Sequence, residues 1–170
     1  AVQQSNGELI SHWDDDDWYS PDRLQYQLKA MQTGGDQVCG FDTRFFFDVS
    51  GNMYWSCSPD LHARMFFADV NGRSILYAKT LWEKFAHYPD MTLAEDAHFL
   101  KNLLKRNVKI TKLDNNEKLI YIRHRNNAWR FECGKFMDPG GWRQLQIATF
   151  MLPEDLTFYD HIRKKVRLAA

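Results

Sequence analysis

Cysteine is scarce in this chain. Cys39, Cys57 and Cys133 are the only three, well separated and with no CxxC pair. That spacing excludes a disulfide framework and a thiolate zinc site, and it fits reduced thiols in a cytoplasmic protein. No apolar run reaches the roughly 20 residues that a membrane helix needs, and no signal peptide is legible. Net charge is missing too. The 22 Lys and Arg balance the 22 Asp and Glu, so no basic surface is available for general nucleic-acid binding. Internal repeats and low-complexity segments are absent.

What remains is a chain of 170 residues, long enough for one domain with a real core. Aromatic residues make up 15% and include six Trp. Aromatic rings suit the faces of sugars and nucleobases, and they suit a core equally well; Trp55 and Trp82 are assigned to packing. The chain opens on Ala1 rather than Met, which reads as a processed protein or a fragment.

The densest chemical signal is His12-Trp13-Asp14-Asp15-Asp16-Asp17-Trp18-Tyr19. Four consecutive carboxylates follow a short apolar run from Leu9. Neighbouring carboxylates repel by about 1 kcal/mol at 4 Å in water, and by more near a protein surface. A divalent cation removes that conflict, because Mg²⁺ and Mn²⁺ take hard oxygen ligands. In an extended backbone, Asp14 and Asp16 point one way and Asp15 and Asp17 the other. If Leu9–Trp13 is a buried strand, the run lies at its carboxyl end, where open α/β sheets bind ligands. A metal–diphosphate site is the expected reading. The competing one is an acidic cap before the helix that Pro21 opens, but a cap needs one carboxylate and not four.

The segment Asp14-Asp15-Asp16-Asp17-Trp18-Tyr19-Ser20-Pro21-Asp22-Arg23-Leu24 resembles the DxD segment of GT-A fold glycosyltransferases of family two. An apolar strand, Asp-x-Asp-Asp and then Pro-x-x-Leu opening a helix occur there in the same order. The resemblance implies that Asp14 and Asp16 hold a metal, Mn²⁺ or Mg²⁺, and that Asp15 and Asp17 lie against the sugar-nucleotide donor. Trp18 and Tyr19, adjoining the run, become candidate platforms for the acceptor sugar.

Two further stretches extend the resemblance. Ala94-Glu95-Asp96-Ala97-His98-Phe99-Leu100 is similar to the Glu-Asp pair that opens a late helix in the family, whose Asp is the usual catalytic base. That implies Asp96 as base and leaves Glu95 a possible acceptor contact. Read from the residues alone, Thr92-x-x-Glu95 is a capping box with Glu95 at its third position, while Asp96 gains only a favourable helix dipole. His124-Arg125-Asn126-Asn127 resembles a His-x-x-Asn stretch late in related bacterial transferases. On that resemblance His124 completes the metal shell and Arg125 offers its fork of donors to phosphate. The plainer alternatives are a hydrogen-bonded structural His and a solvated surface Arg.

The rest of the chain reads as alternating elements. Residues 1–6 end a helix at Gly7. Ser20 caps a helix with Pro21 at its first position, and Gly34-Gly35 stop it. Val38–Phe41, Thr43–Val49 and Met53–Cys57 are strands, the last two a hairpin around Ser50-Gly51-Asn52. Arg64–Ala68 reads as a short strand and Gly72–Ala78 as a buried segment. Thr80-x-x-Glu83 and Thr92-x-x-Glu95 open helices ending near Phe85 and Arg106. Val108–Leu113 and Lys118–Arg123 are strands, and Pro153 opens a last helix to about Lys165.

The expectation is therefore an α/β, GT-A-like domain with a mixed sheet, flanking helices and a β-hairpin insertion at about 41–57. Residues 1–130 form the metal-and-acceptor half, and 131–170 a C-terminal extension. The resemblance implies a nucleotide-binding half upstream of the DxD segment, supplied by an upstream domain or a second chain. The implied activity is inverting sugar transfer from a nucleotide-sugar, a UDP-sugar first, to a glycan or other hydroxyl acceptor. Two alternatives stand beside it. One is a non-catalytic half that binds metal or glycan. The other is a metal-dependent phosphohydrolase, which also opens on a strand followed by Asp-x-Asp.

Overall fold

A computed structural model of the chain describes residues 1–146 and 150–168, with side chains to 164 in the last helix. Two mixed sheets carry the fold. The first has the order β1-β6-β3-β7 and the second β2-β8-β4-β5-β9. In the first, β1 (Leu9–Ser11) and β3 (Val38–Phe41) flank β6 (Leu76–Ala78) antiparallel, and β7 (Thr111–Leu113) runs parallel to β3. In the second, β2 (Trp18–Tyr19) pairs antiparallel with β8 (Leu119–Arg123), which lies parallel to β4 (Phe45–Asp48). β5 (Met53–Cys57) joins β4 to β9 (Trp142–Leu145) through antiparallel ladders. The β4–β5 hairpin, expected as an insertion, is thus central to a sheet. Residues 142–145 of the expected C-terminal extension supply that sheet's edge.

The Asp run lies between the sheets, because β1 belongs to the first and β2 to the second. Each sheet brings its own core. Val38, Tyr77, Phe99, Leu100 and Leu103 seal the first against α4 (Glu95–Leu104). Phe46, Tyr121, Cys133 and Trp142 pack with Leu61 and Phe66 on one face of the second. Trp18, Phe47, Tyr54 and Ile120 fill the other face beneath α5 (Pro153–Leu168). Gly40 allows close approach at the centre of β3, where an added Cβ would meet Val70 Cβ at 3.0 Å.

Several local expectations are corrected. The opening element is a single 3-10 turn, Val2–Gln4. α1 (Arg23–Gly34) starts two residues beyond Pro21. The Ser20 hydroxyl bonds the Asp22 carboxylate instead of the helix amides, and Asp22 occupies the cap position. Gly35 does end that helix in the left-handed conformation, at φ 64°. Arg64–Ala68 is no strand. α2 (Pro59–Met65) covers its start, with Ser58 Oγ accepting from the Leu61 amide at 3.2 Å. Neither Thr box forms. α3 (Lys79–Lys84) begins directly after β6, which puts Thr80 inside it. α4 begins at Glu95 because Ala94 sits at φ 63°, a left-handed conformation that cannot continue a right-handed helix.

Candidate active site

The carboxylate run does not extend as a strand. The chain turns at Asp15-Asp16 before β2 begins. The turn overrides the alternation expected of an extended backbone, so Asp17 joins Asp14 and Asp16 instead of opposing them. One ligand atom from each of these three falls within 4.8 Å of the others. Asp15, the fourth carboxylate of the run, is exposed and outside this group.

The turn is held from below by Arg23, which is fully buried at the start of α1. It donates to the His12 carbonyl at 2.8 Å and to Gln27 Oε1 at 3.0 Å. Its guanidinium lies 4.4 Å from the Tyr19 ring centre and 4.9 Å from that of Trp13. The Tyr19 hydroxyl accepts from the Asp14 amide at 3.1 Å. Tyr19 is therefore a half-buried brace for the turn. Trp18 is 6% exposed, and its indole N–H donates to Asp155 Oδ2 at 2.8 Å. It is packed into the core and offers no face to a sugar.

The electrostatic centre is Arg73, a residue that no motif marks. Its Nε forms an ion pair with Asp14 Oδ2 at 3.1 Å, and one terminal nitrogen donates to Asp17 Oδ2 at 3.2 Å and Asp16 Oδ1 at 3.5 Å. The guanidinium also stacks 4.2 Å from the Tyr121 ring centre. Burial alone would lower its pKa, but the surrounding carboxylates, Asp17 first, raise it above the usual arginine value. Asp17 is enclosed. Its other oxygen accepts the Ile122 amide at 2.9 Å. Burial pushes its carboxyl up to about 7 against the pull of Arg73 and that amide. Asp14 is raised as well, by burial first, with Arg73 opposing and the charges of Asp16, Asp96 and Glu95 adding. Three carboxylates against one guanidinium leave the cluster short of positive charge.

His124 reaches the cluster from the end of β8. Its Nε2 lies 2.9 Å from Asp16 Oδ2, and Asn127 Nδ2 donates to the same oxygen at 3.2 Å. Asn127 Oδ1 accepts the His124 amide at 2.7 Å, so the two residues fix each other. Arg125 is exposed and stands outside this set.

A cleft of about 340 Å³ opens beside the cluster. Asp14, Arg73, Glu95 and Asp96 share its lining with an apolar wall that includes Phe66 and Trp129. Asp96 is half-buried in the first turn of α4, and Glu95, at the first helical position, is exposed. Without the Thr92 box, Glu95 makes no cap. Asp96 Oδ1 accepts from the Ala97 amide at 2.7 Å. Its carboxylate lies so close to Gly72 that a Cβ there would overlap it. Phe66 and Trp129 meet edge to face at 5.7 Å.

Of the residues singled out in the sequence, Asp14, Asp16, Asp17 and His124 come together. Glu95 and Asp96 share the cleft with Asp14, whereas Asp15, Arg125 and Trp18 lie apart from it. Arg73, Gly72, Phe66 and Trp129 were not singled out, and Asn127 entered as the last residue of the His-x-x-Asn stretch with no role of its own. Only Asn127 carried a local signal, its spacing three residues after His124.

Two comparisons bear on the chain. No curated protein matches it significantly. A family model described as "Glycosyl transferase family 2" matches residues 1–92, which takes in the Asp run, Gly72 and Arg73 and stops just short of Glu95. By that match, over more than half of its length, the chain belongs to glycosyl transferase family 2.

Proposed function

We propose that the cleft transfers a sugar from a nucleotide-sugar, a UDP-sugar first, to the hydroxyl of a glycan or related acceptor, with inversion at the anomeric carbon. The observation that carries this reading is that Asp14 of the acidic cluster and Asp96 at the start of α4 line one cleft, so a group for the diphosphate and a group for the acceptor proton face the same space.

The donor set suits a hard divalent cation, Mn²⁺ or Mg²⁺. It offers the clustered carboxylates of Asp14, Asp16 and Asp17, with the His124 imidazole beside Asp16, and it carries an excess of negative charge that Arg73 alone does not cancel. Asp14, Asp16 and His124 would hold the ion. Asp17 is less suited, because one oxygen serves the Ile122 amide and the other Arg73. When bound, such an ion supplies charge stabilisation for the departing diphosphate.

The protein's own residues do the rest. Asp96 takes the acceptor hydroxyl proton as attack proceeds, a role typically worth ~10²–10⁴ in rate. Gly72 lets that carboxylate lie against the backbone, and Ala97 N–H orients it. Glu95, exposed beside it and without an ion-pair partner among the described residues, is placed to bond an acceptor hydroxyl. Trp129, half-buried in the cleft wall and backed by the buried Phe66, takes over as the acceptor's apolar platform in place of Trp18 and Tyr19. The test is release of nucleoside diphosphate from a panel of nucleotide-sugars with Mn²⁺ and mixed glycan acceptors. Release should depend on acceptor and metal and be lost in Asp14→Ala. Release that persists in Asp14→Ala removes the cleft from the reaction.

A further inference from the structure

We infer that Arg73 is a metal-gated diphosphate ligand, held in reserve by the same carboxylates that would receive the cation. The inference rests on the metal reading above.

Arg73 forms ion pairs with all three clustered carboxylates, but the three are not equivalent. Asp17 is enclosed, with one oxygen committed to Ile122 N–H and the other to Arg73. Asp14 and Asp16 keep about a third of their side-chain surface open, and the Arg73–Asp16 contact, at 3.5 Å, is the loosest of the three. A divalent cation arriving from solvent therefore meets Asp14 and Asp16 first, and like charge drives the guanidinium off them. Asp17 and the Tyr121 ring still hold it. The charges then balance in two pairs. Asp14 and Asp16 neutralise the cation, and Asp17 neutralises Arg73.

The Nε edge of Arg73, which is ion-paired with Asp14 in the closed cluster, is thereby released. Arg73 already lines the cleft, so the freed donor faces the space where a diphosphate would lie, and a guanidinium suits such an anion. Metal loading thus creates the second phosphate contact, which makes cation binding precede tight diphosphate binding. The sequence hides this device, since Arg73 is 57 residues from Asp16.

The experiment pairs two titrations with one spectroscopic signal. Mn²⁺ binding is measured by electron paramagnetic resonance, and inorganic pyrophosphate binding in saturating Mg²⁺ by calorimetry, in wild type, Arg73→Met and Arg73→Lys. The Arg73 Nε–H resonance, assigned by its absence from Arg73→Lys, is followed by NMR as Mg²⁺ is added to wild type. Expected are Mn²⁺ binding in Arg73→Met at least as tight as in wild type, pyrophosphate binding weakened about tenfold or more, and an Nε–H resonance that shifts with Mg²⁺. A residue that merely props up the cluster would weaken both titrations together, and that result overturns the inference. So does an Nε–H signal, assigned independently through its side-chain connectivities in isotope-labelled wild type, that stays fixed while wild type demonstrably binds Mg²⁺, which decides the matter even if both variants unfold. Absence of divalent-cation binding by wild type at millimolar concentration overturns the metal reading first, and this inference with it.

Discussion

Gly72→Ala should separate the position of Asp96 from the stability of the fold. The added Cβ would lie 2.6 Å from Asp96 Cβ and would overlap the carboxylate itself. Restoring an ordinary carbon–carbon contact of ~3.5 Å requires the two groups to part by about 1 Å. Rotating the Asp96 side chain clears the oxygen but not its Cβ, so the first turn of α4 must retreat. Overpacking of this kind costs about 1–3 kcal/mol, a fall in melting temperature of roughly 2–12 °C for a chain of this size. Catalysis should suffer more, because misplacing a reacting group by ~1 Å can cost about 10²-fold. The assay is turnover with a nucleotide-sugar and an acceptor, beside a thermal melt, in wild type, Gly72→Ala, Asp96→Asn and the double variant. If Gly72→Ala acts through Asp96, it should cost turnover nothing further once Asp96 is Asn. Full turnover in Gly72→Ala, or strictly additive losses in the double variant, would refute the reasoning.

Other expectations follow from the same geometry. Trp18→Phe removes the bond to Asp155 and should cost about 1.5–3 kcal/mol in urea denaturation, with the acceptor KM unchanged. Glu95→Ala, at a helix start with no capping box, should lower stability by at most ~1 kcal/mol while raising the acceptor KM. His62 is buried, and burial holds its imidazole below the ordinary value of 6.5 although Asp69 sits 2.7 Å from Nδ1. The unfolded chain then takes up the proton first, so this contribution is present above the unfolded pKa and is lost as pH falls through and below ~6.5. Denaturation midpoints in wild type should fall in that window relative to those of His62→Gln, and parallel pH profiles would contradict the assignment.

How much the sequence disclosed depends on the range of the interaction. The Asp run, the strands at 38–41, 53–57 and 119–123, and the glycine stop of α1 are local, and their residues announce them. The helix starts were misread where tertiary constraints decided them. Ala94 adopts a left-handed backbone and cancels the Thr92 box. Ser20 turns its hydroxyl to Asp22, whereas Ser58, before the same Pro-Asp pair, caps α2. The face of Asp17 was misassigned for a similar reason, since alternation presumes a strand and the chain turns instead. Arg73 and Gly72 come to the site only because β6 and its preceding loop pack beside β1. That juxtaposition depends on sheet order, which no short motif encodes. Trp18 shows the reverse error, for its place beside the carboxylates suggested a sugar platform, but its indole is a core group bonded to α5.

Asp96→Asn tests the central claim most directly. It preserves shape and the acceptor for Ala97 N–H but cannot take up a proton. Turnover and donor affinity should be measured together in a preparation that transfers sugar as wild type. The account predicts a fall in kcat of ~10²-fold or more with metal and donor affinities unchanged. Undiminished kcat in Asp96→Asn would contradict it.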